Sequence, residues 1–232
     1  MNSALRLIFL LCVSSVFVTA SGCSHLAPKE QEPCWQSLFD GKTLAGWRNF
    51  KKPGAPTQGW VVEEGCLKLL PHGGGGDIIT TNKFADFDLE WDWCIEPKGN
   101  NGIKYLVTEE RENGIGHEYQ MVDDTLETSS KRVTASFYDV LPPRKLGLSK
   151  PVKEWNHSRL LVNGNHVEHW LNGVKVLEYE LGGAEVRAAV ARSKFRDVSG
   201  FGEKISGRIM LTDHNEETWF RNIKVRELDL IR

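Results

Sequence analysis

The alternation of residue types between positions 87 and 93 is the strongest constraint on the fold of this chain. These residues read Phe-Asp-Leu-Glu-Trp-Asp-Trp, with apolar and acidic side chains in strict turn. Successive side chains of an extended strand point to opposite faces, so this period predicts a strand with a buried apolar face and an acidic face toward water or a site. Residues 102–107 and 118–122 predict two further strands.

Two Asn-Gly pairs predict tight hairpin turns in the second half of the chain. Asn163-Gly164 and Asn172-Gly173 interrupt the apolar segment 158–179, and Asn-Gly readily adopts the positive φ angles that such turns require. We therefore expect a three-stranded meander here, followed by closing strands at 207–212 and 219–225. Helical periodicity is scarce, with one short helix expected within 185–195. Many short strands without βα alternation indicate an all-β, antiparallel sandwich.

The N-terminus has the pattern of a bacterial secretory signal. Arg6 precedes an apolar run at 7–18, and small residues lead to Cys23. The run is short for a membrane span. Cleavage after Ala20 and cleavage before a lipidated Cys23 are both compatible with the pattern. We expect a signal peptide at 1–22, a tether at 23–35 and a sandwich domain at 36–230, exported to the cell envelope and held at the membrane through a lipid anchor only.

Charge and cysteine content limit the classes of partner. The formal net charge is −2 and no block of five like charges occurs, so we expect no nucleic-acid partner. Cys34, Cys66 and Cys94 follow the signal; an oxidising compartment permits one disulfide among them, and three isolated thiols are the alternative. Their spacing does not indicate a zinc site.

Seven sequence strings, in this order, resemble the 3-keto-disaccharide hydrolase family over residues 36–228. The strings span 37–47, 59–65, 101–105, 118–124, 168–173, 207–214 and 220–225. The resemblance implies a concanavalin A-like jelly roll with a concave sugar-binding face. It also implies activity on glycosides oxidised at C3, by hydrolysis or by lysis. Family members often read Leu-Gln-Asp-His-Gly where this chain has Leu-Thr-Asp-His-Asn at 211–215.

Cleavage of a 3-keto-glycoside needs a base near C2, a cation for the enolate oxygen and an acid for the leaving oxygen. Strand alternation places Lys104 on one face with Glu118 and Gln120, with His214 at the end of a later strand. We expect Glu118 or His214 to act as base, Lys104 to stabilise the enolate, and Asp213 to orient His214. Gln120 and Arg221 are candidate substrate contacts. A solvated cross-strand pair of Lys104 and Glu118 is the alternative.

Asp123 and Asp124 could hold a divalent metal ion with Glu118 or His214, but hard oxygen ligands alone are not a specific signature, and a solvated turn is the favoured explanation of the two aspartates. Trp91 and Trp93 have the spacing of core residues. Candidates for stacking on a sugar ring are Trp47, Trp60, Trp155 and Trp170.

Three functions therefore compete. An enzyme acting on 3-keto-glycosides needs the base, cation and acid in one pocket, whereas a non-catalytic carbohydrate-binding module needs only polar and aromatic contacts. An envelope scaffold would instead present an apolar surface patch.

Overall fold

A computed structural model describes residues 34–228 of the chain. The signal peptide, both cleavage sites, Cys23 and all of the tether except its last two residues lie outside the described residues. Those expectations stay predictions. Within 34–228, no helix has the length and apolar character needed to cross a membrane.

The described chain forms thirteen strands and a single short α-helix. In chain order they are β1 Gln36–Ser37, β2 Trp47–Asn49, β3 Trp60–Glu63, β4 Cys66–Leu69, β5 Ile78–Thr80, β6 Phe87–Ile95, β7 Asn100–Val107, β8 His117–Val122, β9 Asn156–Asn163, β10 His166–Leu171, β11 Val174–Glu180, α1 Ala184–Val190, β12 Arg208–Leu211 and β13 Thr218–Glu227.

The strands make two sheets in which every recorded pair is antiparallel. The larger sheet has the order β11-β10-β9-β6-β13-β4-β3, with β1 added on β13, and the smaller one has the order β2-β5-β12-β7-β8. The all-β sandwich prediction is confirmed, as are the three-stranded meander of β9, β10 and β11 and the single helix near residue 185.

The core lies between the sheets and is rich in aromatic residues. Trp91 and Trp93 are at most 1% exposed, as the alternation of β6 predicts. Trp91 meets Tyr119 of the smaller sheet edge to face, with ring centroids 4.9 Å apart. Edge-to-face contacts of this kind add to the stabilisation from burial.

The acidic face of β6 differs from the expectation at one position. Asp88 is fully buried because two arginines of neighbouring strands cover it. Arg159 bonds to it at 2.6 and 2.9 Å, and Arg226 at 3.1 and 2.8 Å. The outer face of the larger sheet is therefore an ion-pair network at this point rather than open to water.

The expectation that Trp47 and Trp60 stack on a sugar is wrong. Both are core residues, 2% and 3% exposed. Their indole N–H groups donate to backbone carbonyls, Trp47 to Leu38 at 2.7 Å and Trp60 to Gly76 at 2.8 Å. Loops fold over these edge strands and satisfy the one polar atom of each ring, which lets a tryptophan be buried.

The hairpin turns and the thiols complete the fold. Asn172 and Gly173 have φ of 49° and 81°, the positive angles that the Asn-Gly prediction gives. At the other turn Asn163 is still a strand residue paired with His166, and the turn is made by Gly164, with φ of 59°, and Asn165. The Asn172 amide donates to the Leu148 carbonyl at 2.8 Å and to Asn156 at 2.9 Å. Cys34, Cys66 and Cys94 are unpaired, in agreement with the alternative of three isolated thiols.

Candidate active site

The floor of the candidate site is the β7–β8 hairpin. Lys104 lies directly opposite Glu118, and Gly102 opposite Gln120. Their side chains point away from the larger sheet, because Ile103, Tyr105 and Tyr119 between them fill the core. Lys104, Glu118, Gln120 and His214 line one cavity of about 300 Å³, which we call the β7–β8 pocket. The structure thus brings these four predicted residues together.

Glu118 is the most unusual group in the pocket. Its side chain is buried, with 6% of the residue exposed, and no hydrogen bond to its carboxylate is recorded within residues 34–228. Burial raises the pKa of Glu118, while the positive charges of Lys104 and then Lys194 oppose the increase. The interpretation as a solvated cross-strand pair is therefore wrong, because Glu118 is shielded from bulk water.

Gly102 makes room for this carboxylate. A Cβ at position 102 would collide with Oε1 of Glu118 and would lie 2.9 Å from its Cγ. The Glu118 side chain therefore lies across the bare backbone of β7. Any larger residue at 102 would displace it.

His214 stands at the rim of the pocket, on the loop that follows β12. Its side chain reaches solvent. The pKa of His214 is lowered mainly by partial desolvation and further by the positive charge of Lys104. The negative charges of Asp77 and Asp213 oppose this decrease. His214 is thus biased toward the neutral imidazole.

Asp213 fixes the loop rather than the imidazole. Its Oδ2 accepts the Gly76 N–H at 2.8 Å and its Oδ1 accepts the Asn215 N–H at 3.0 Å. Its own N–H donates to Asp77 at 2.9 Å. Asn215 has φ of 70°, a left-handed conformation that glycine and asparagine tolerate best. Asparagine can therefore stand at position 215, where members of the family that the sequence resembles often have glycine.

Two irregular segments form the roof and supply residues that sequence reasoning missed. Tyr138 lies beside β8, where its N–H donates to the Glu118 carbonyl at 3.1 Å. Lys194 follows α1, and its backbone N–H donates a hydrogen bond to Oδ2 of Asp139 at 2.8 Å. The Lys194 ammonium lies 4.2 Å from the centre of the Tyr138 ring. The remaining wall is largely apolar, from Ile115, Phe195 and Val198.

The roof groups are electrostatically coupled to the floor. Desolvation lowers the pKa of Lys194, and the negative charge of Glu118 is the main influence that opposes this. Desolvation raises the pKa of Tyr138, with a further increase from Glu118. One buried carboxylate therefore faces two lysines, one on each side of the cavity.

Arg221 and Trp170 lie elsewhere. They belong to β13 and β10 of the larger sheet, and neither lines the β7–β8 pocket. The Arg221 guanidinium lies 3.9 Å from the Trp155 ring centre, and the Trp170 N–H donates to Glu168 at 2.8 Å. Their prediction as contacts to the same substrate therefore does not fit this geometry.

The predicted metal ligands are separated as well. Asp123 accepts from Thr125 and from the Lys98 N–H, and Asp124 accepts from the Thr134 N–H and from Ser149. Neither lines the pocket of Glu118 and His214, so the two aspartates act as turn residues. Among the described residues, His166, Glu168 and Glu178 form a group with metal-ligand spacing, but Lys175 already bonds to both glutamates.

The fold and the site define an antiparallel two-sheet sandwich with an ionisable pocket on the outer face of its smaller sheet. The chain belongs to the 3-keto-α-glucoside-1,2-lyase-like domain family, whose model matches residues 34–226.

Relatives support this assignment. The chain is 35% identical to a 3-keto-disaccharide hydrolase of Bacteroides thetaiotaomicron, over 83% of this chain and 78% of that protein. A crystal structure from Parabacteroides distasonis, of a protein provisionally named a glycosyl hydrolase, aligns with a TM-score of 0.76 at 30% identity, covering 84% and 94% of the two chains. A second protein of that organism, with the same provisional name, aligns with a TM-score of 0.61 at 27% identity over 84% of each chain.

Proposed function

We propose that this protein is a glycoside-cleaving enzyme that acts on 3-keto-glycosides, with elimination of the C1 substituent as its central step. The observation that carries the proposal is the Glu118 carboxylate. It is buried, it lines the same cavity as Lys104 and Lys194, and it has no hydrogen-bond partner within residues 34–228. Perturbed carboxylates in a cleft are typical of catalytic sites. The name of the B. thetaiotaomicron relative supports the substrate class.

Glu118 is the general base in this proposal. A ketone at C3 acidifies the C2–H bond, and a carboxylate of raised pKa is a stronger base than an ordinary glutamate. Glu118 takes the C2 proton, and the electron pair of that bond becomes an enediolate with its negative charge on the C3 oxygen. Lys104 and Lys194 stabilise this charge as compact ammonium donors.

Elimination follows from the enediolate. Its electrons form the C1–C2 double bond while the C1–O bond breaks. The departing oxygen takes a proton from the minor imidazolium form of His214, which regains a proton from solvent at the rim. The product is an unsaturated 2-hydroxyglycal that keeps the C3 ketone. If water adds to C1 and releases its proton to solvent, and the Glu118 proton returns to C2, the net reaction is hydrolysis.

The test is incubation with a 3-keto-disaccharide, followed by NMR in D₂O. We expect C2 deuterium exchange, release of free sugar and appearance of the unsaturated glycal. Glu118→Gln should lower the rate by about 100- to 10,000-fold, whereas Glu110→Gln, an exposed change outside the pocket, should not.

The competing function is a carbohydrate-binding module. It predicts that the wild-type protein binds the sugar and catalyses neither C2 exchange nor cleavage, and that result would overturn the proposal. The buried Glu118 carboxylate, which has no hydrogen-bond partner among the described residues, favours catalysis, because binding alone does not require a desolvated carboxylate.

A further inference from the structure

The β7–β8 pocket has room for a sugar ring. Its volume of about 300 Å³ is at the lower end of the range for small-ligand sites, roughly 300–1,000 Å³, and a single sugar ring fits there. With one ring against Glu118, the second ring of a disaccharide can extend into a neighbouring part of the surface.

Two of the cavities lined by described residues share residues with the pocket, and they differ in size. One shares Asn100 and Gln120 with the pocket and measures about 110 Å³. The other shares Asn113 and measures about 320 Å³, comparable with the pocket itself. It also includes Asn49 and Phe50, and we call it the Phe50 cavity. Of these two spaces, the Phe50 cavity is the one whose volume matches another sugar ring.

We propose that the Phe50 cavity binds the leaving-group sugar of a 3-keto-disaccharide, while the 3-keto ring occupies the β7–β8 pocket. This inference rests on the proposed function and specifies how its substrate lies. The disaccharide would run across the smaller sheet, from β8 and β7 toward β5 and β2.

The lining of the Phe50 cavity has the chemistry of a sugar site. Phe50 is partly exposed and packs on Ile79, Val107 and Met210, so its ring is held in place and can contact the C–H face of a sugar. Within the described residues, no internal hydrogen bond is recorded for the side-chain amides of Asn49 and Asn113, and no ion pair for Lys52. These groups can bond to sugar hydroxyls.

Asp77 links the two spaces. It lines the Phe50 cavity, and its Oδ1 accepts the N–H of Asp213, the residue before His214, at 2.9 Å. The bond between the two rings would then lie near His214. This is the position where the departing oxygen needs a proton.

Phe50→Ala and Asn49→Ala test the inference, each measured on a 3-keto-disaccharide and on methyl 3-keto-α-glucoside. Loss of the aromatic contact should raise KM for the disaccharide by about tenfold and leave the methyl glycoside unchanged. Asn49→Ala should act in the same direction without altering an apolar contact. Leu126→Ala, in the smaller cavity, is the matched control, because it also shortens an exposed apolar side chain.

The subsite would be overturned if Phe50→Ala and Asn49→Ala raised KM equally for the two substrates. It would also be overturned if Leu126→Ala raised KM for the disaccharide alone. Calorimetric measurement of the affinity of both ligands for the wild type and for each variant tests the subsite independently of turnover. Suppose that Phe50→Ala weakens binding of the disaccharide but not of the methyl glycoside, and that the wild-type protein never cleaves the disaccharide. That result would support the subsite and contradict the proposed reaction.

Discussion

At the scale of single residues, Glu118 couples activity to stability. Its folded-state pKa is raised above the ordinary value of 4.5, so folding favours the neutral acid. Such a group contributes its stability below the unfolded pKa, and that contribution is lost as the pH rises through the folded pKa. At neutral pH the charged form is therefore a cost to the folded protein.

We predict that Glu118→Gln melts at a higher temperature than the wild type at pH 8 and that the difference shrinks below about pH 4.5, the ordinary glutamate value. The amide has the shape of the acid without its charge. Calorimetric melting at both pH values measures this. A variant that is less stable at pH 8 would show that the carboxylate is paired in the folded protein.

Lys194 provides a second residue-scale prediction. If its ammonium shares the enediolate charge with Lys104, Lys194→Met should lower kcat/KM by about 10- to 100-fold, somewhat less than loss of a sole oxyanion donor. Lys145→Met, an exposed change away from the pocket, is the control. Unchanged kinetics in Lys194→Met would exclude Lys194 from the chemistry.

At the scale of elements, the roof depends on Asp139. One of its oxygens accepts the Lys194 N–H at 2.8 Å, and the other accepts Arg132 at 3.0 and 2.9 Å. This residue therefore ties the segment after α1 to the segment that carries Tyr138. Its φ of 62° suits asparagine as a substitute.

We expect Asp139→Ala to raise KM and to increase hydrogen exchange of residues 191–200, because the segment loses its anchor. Asp139→Asn, which keeps an acceptor oxygen, should show a smaller effect. If exchange in this segment is the same in wild type and Asp139→Ala, other contacts hold the roof.

The elements that the sequence could predict are those with a regular period. The alternation in β6, β7 and β8 identifies which side chains share a face, and so it placed Lys104, Glu118 and Gln120 together. Tyr138 and Lys194 lie on irregular segments, and Ala135 and Asp139, on either side of Tyr138, have positive φ. These segments have no regular alternation of residue types, so the sequence does not show which way their side chains point.

Arg221 shows a different limit. It follows His214 closely in sequence, yet β12 and β13 belong to different sheets. Alternation gives the face of a strand but not the sheet that the strand joins, because sheet membership depends on long-range pairing. The two residues therefore lie on opposite sides of the molecule, which a local pattern does not reveal.

At the scale of the whole molecule, the larger sheet depends on the buried Asp88. Its removal leaves Arg159 and Arg226 without their shared partner. We predict that Asp88→Ala destabilises the protein by about 3 kcal/mol, at the lower end of the range for buried pairs because both arginines are partly exposed. Urea denaturation measures this. Asp197→Ala, 89% exposed at its side chain, should change stability by less than about 0.5 kcal/mol.

The four Asn-Gly pairs of the described chain have different chemical lifetimes. Asn-Gly sequences deamidate when the glycine nitrogen attacks the side-chain carbonyl, which requires a freely turning amide; asparagine is accordingly among the thermolabile residues. The side-chain amides of Asn101 and Asn172 are hydrogen-bonded, and the Gly164 N–H that follows Asn163 is held by Asp86 at 2.6 Å. Asn113 is exposed, and its amide makes no hydrogen bond within residues 34–228. We therefore expect ageing of the protein to begin at Asn113, where it would add a negative charge to the lining of the β7–β8 pocket and of the Phe50 cavity.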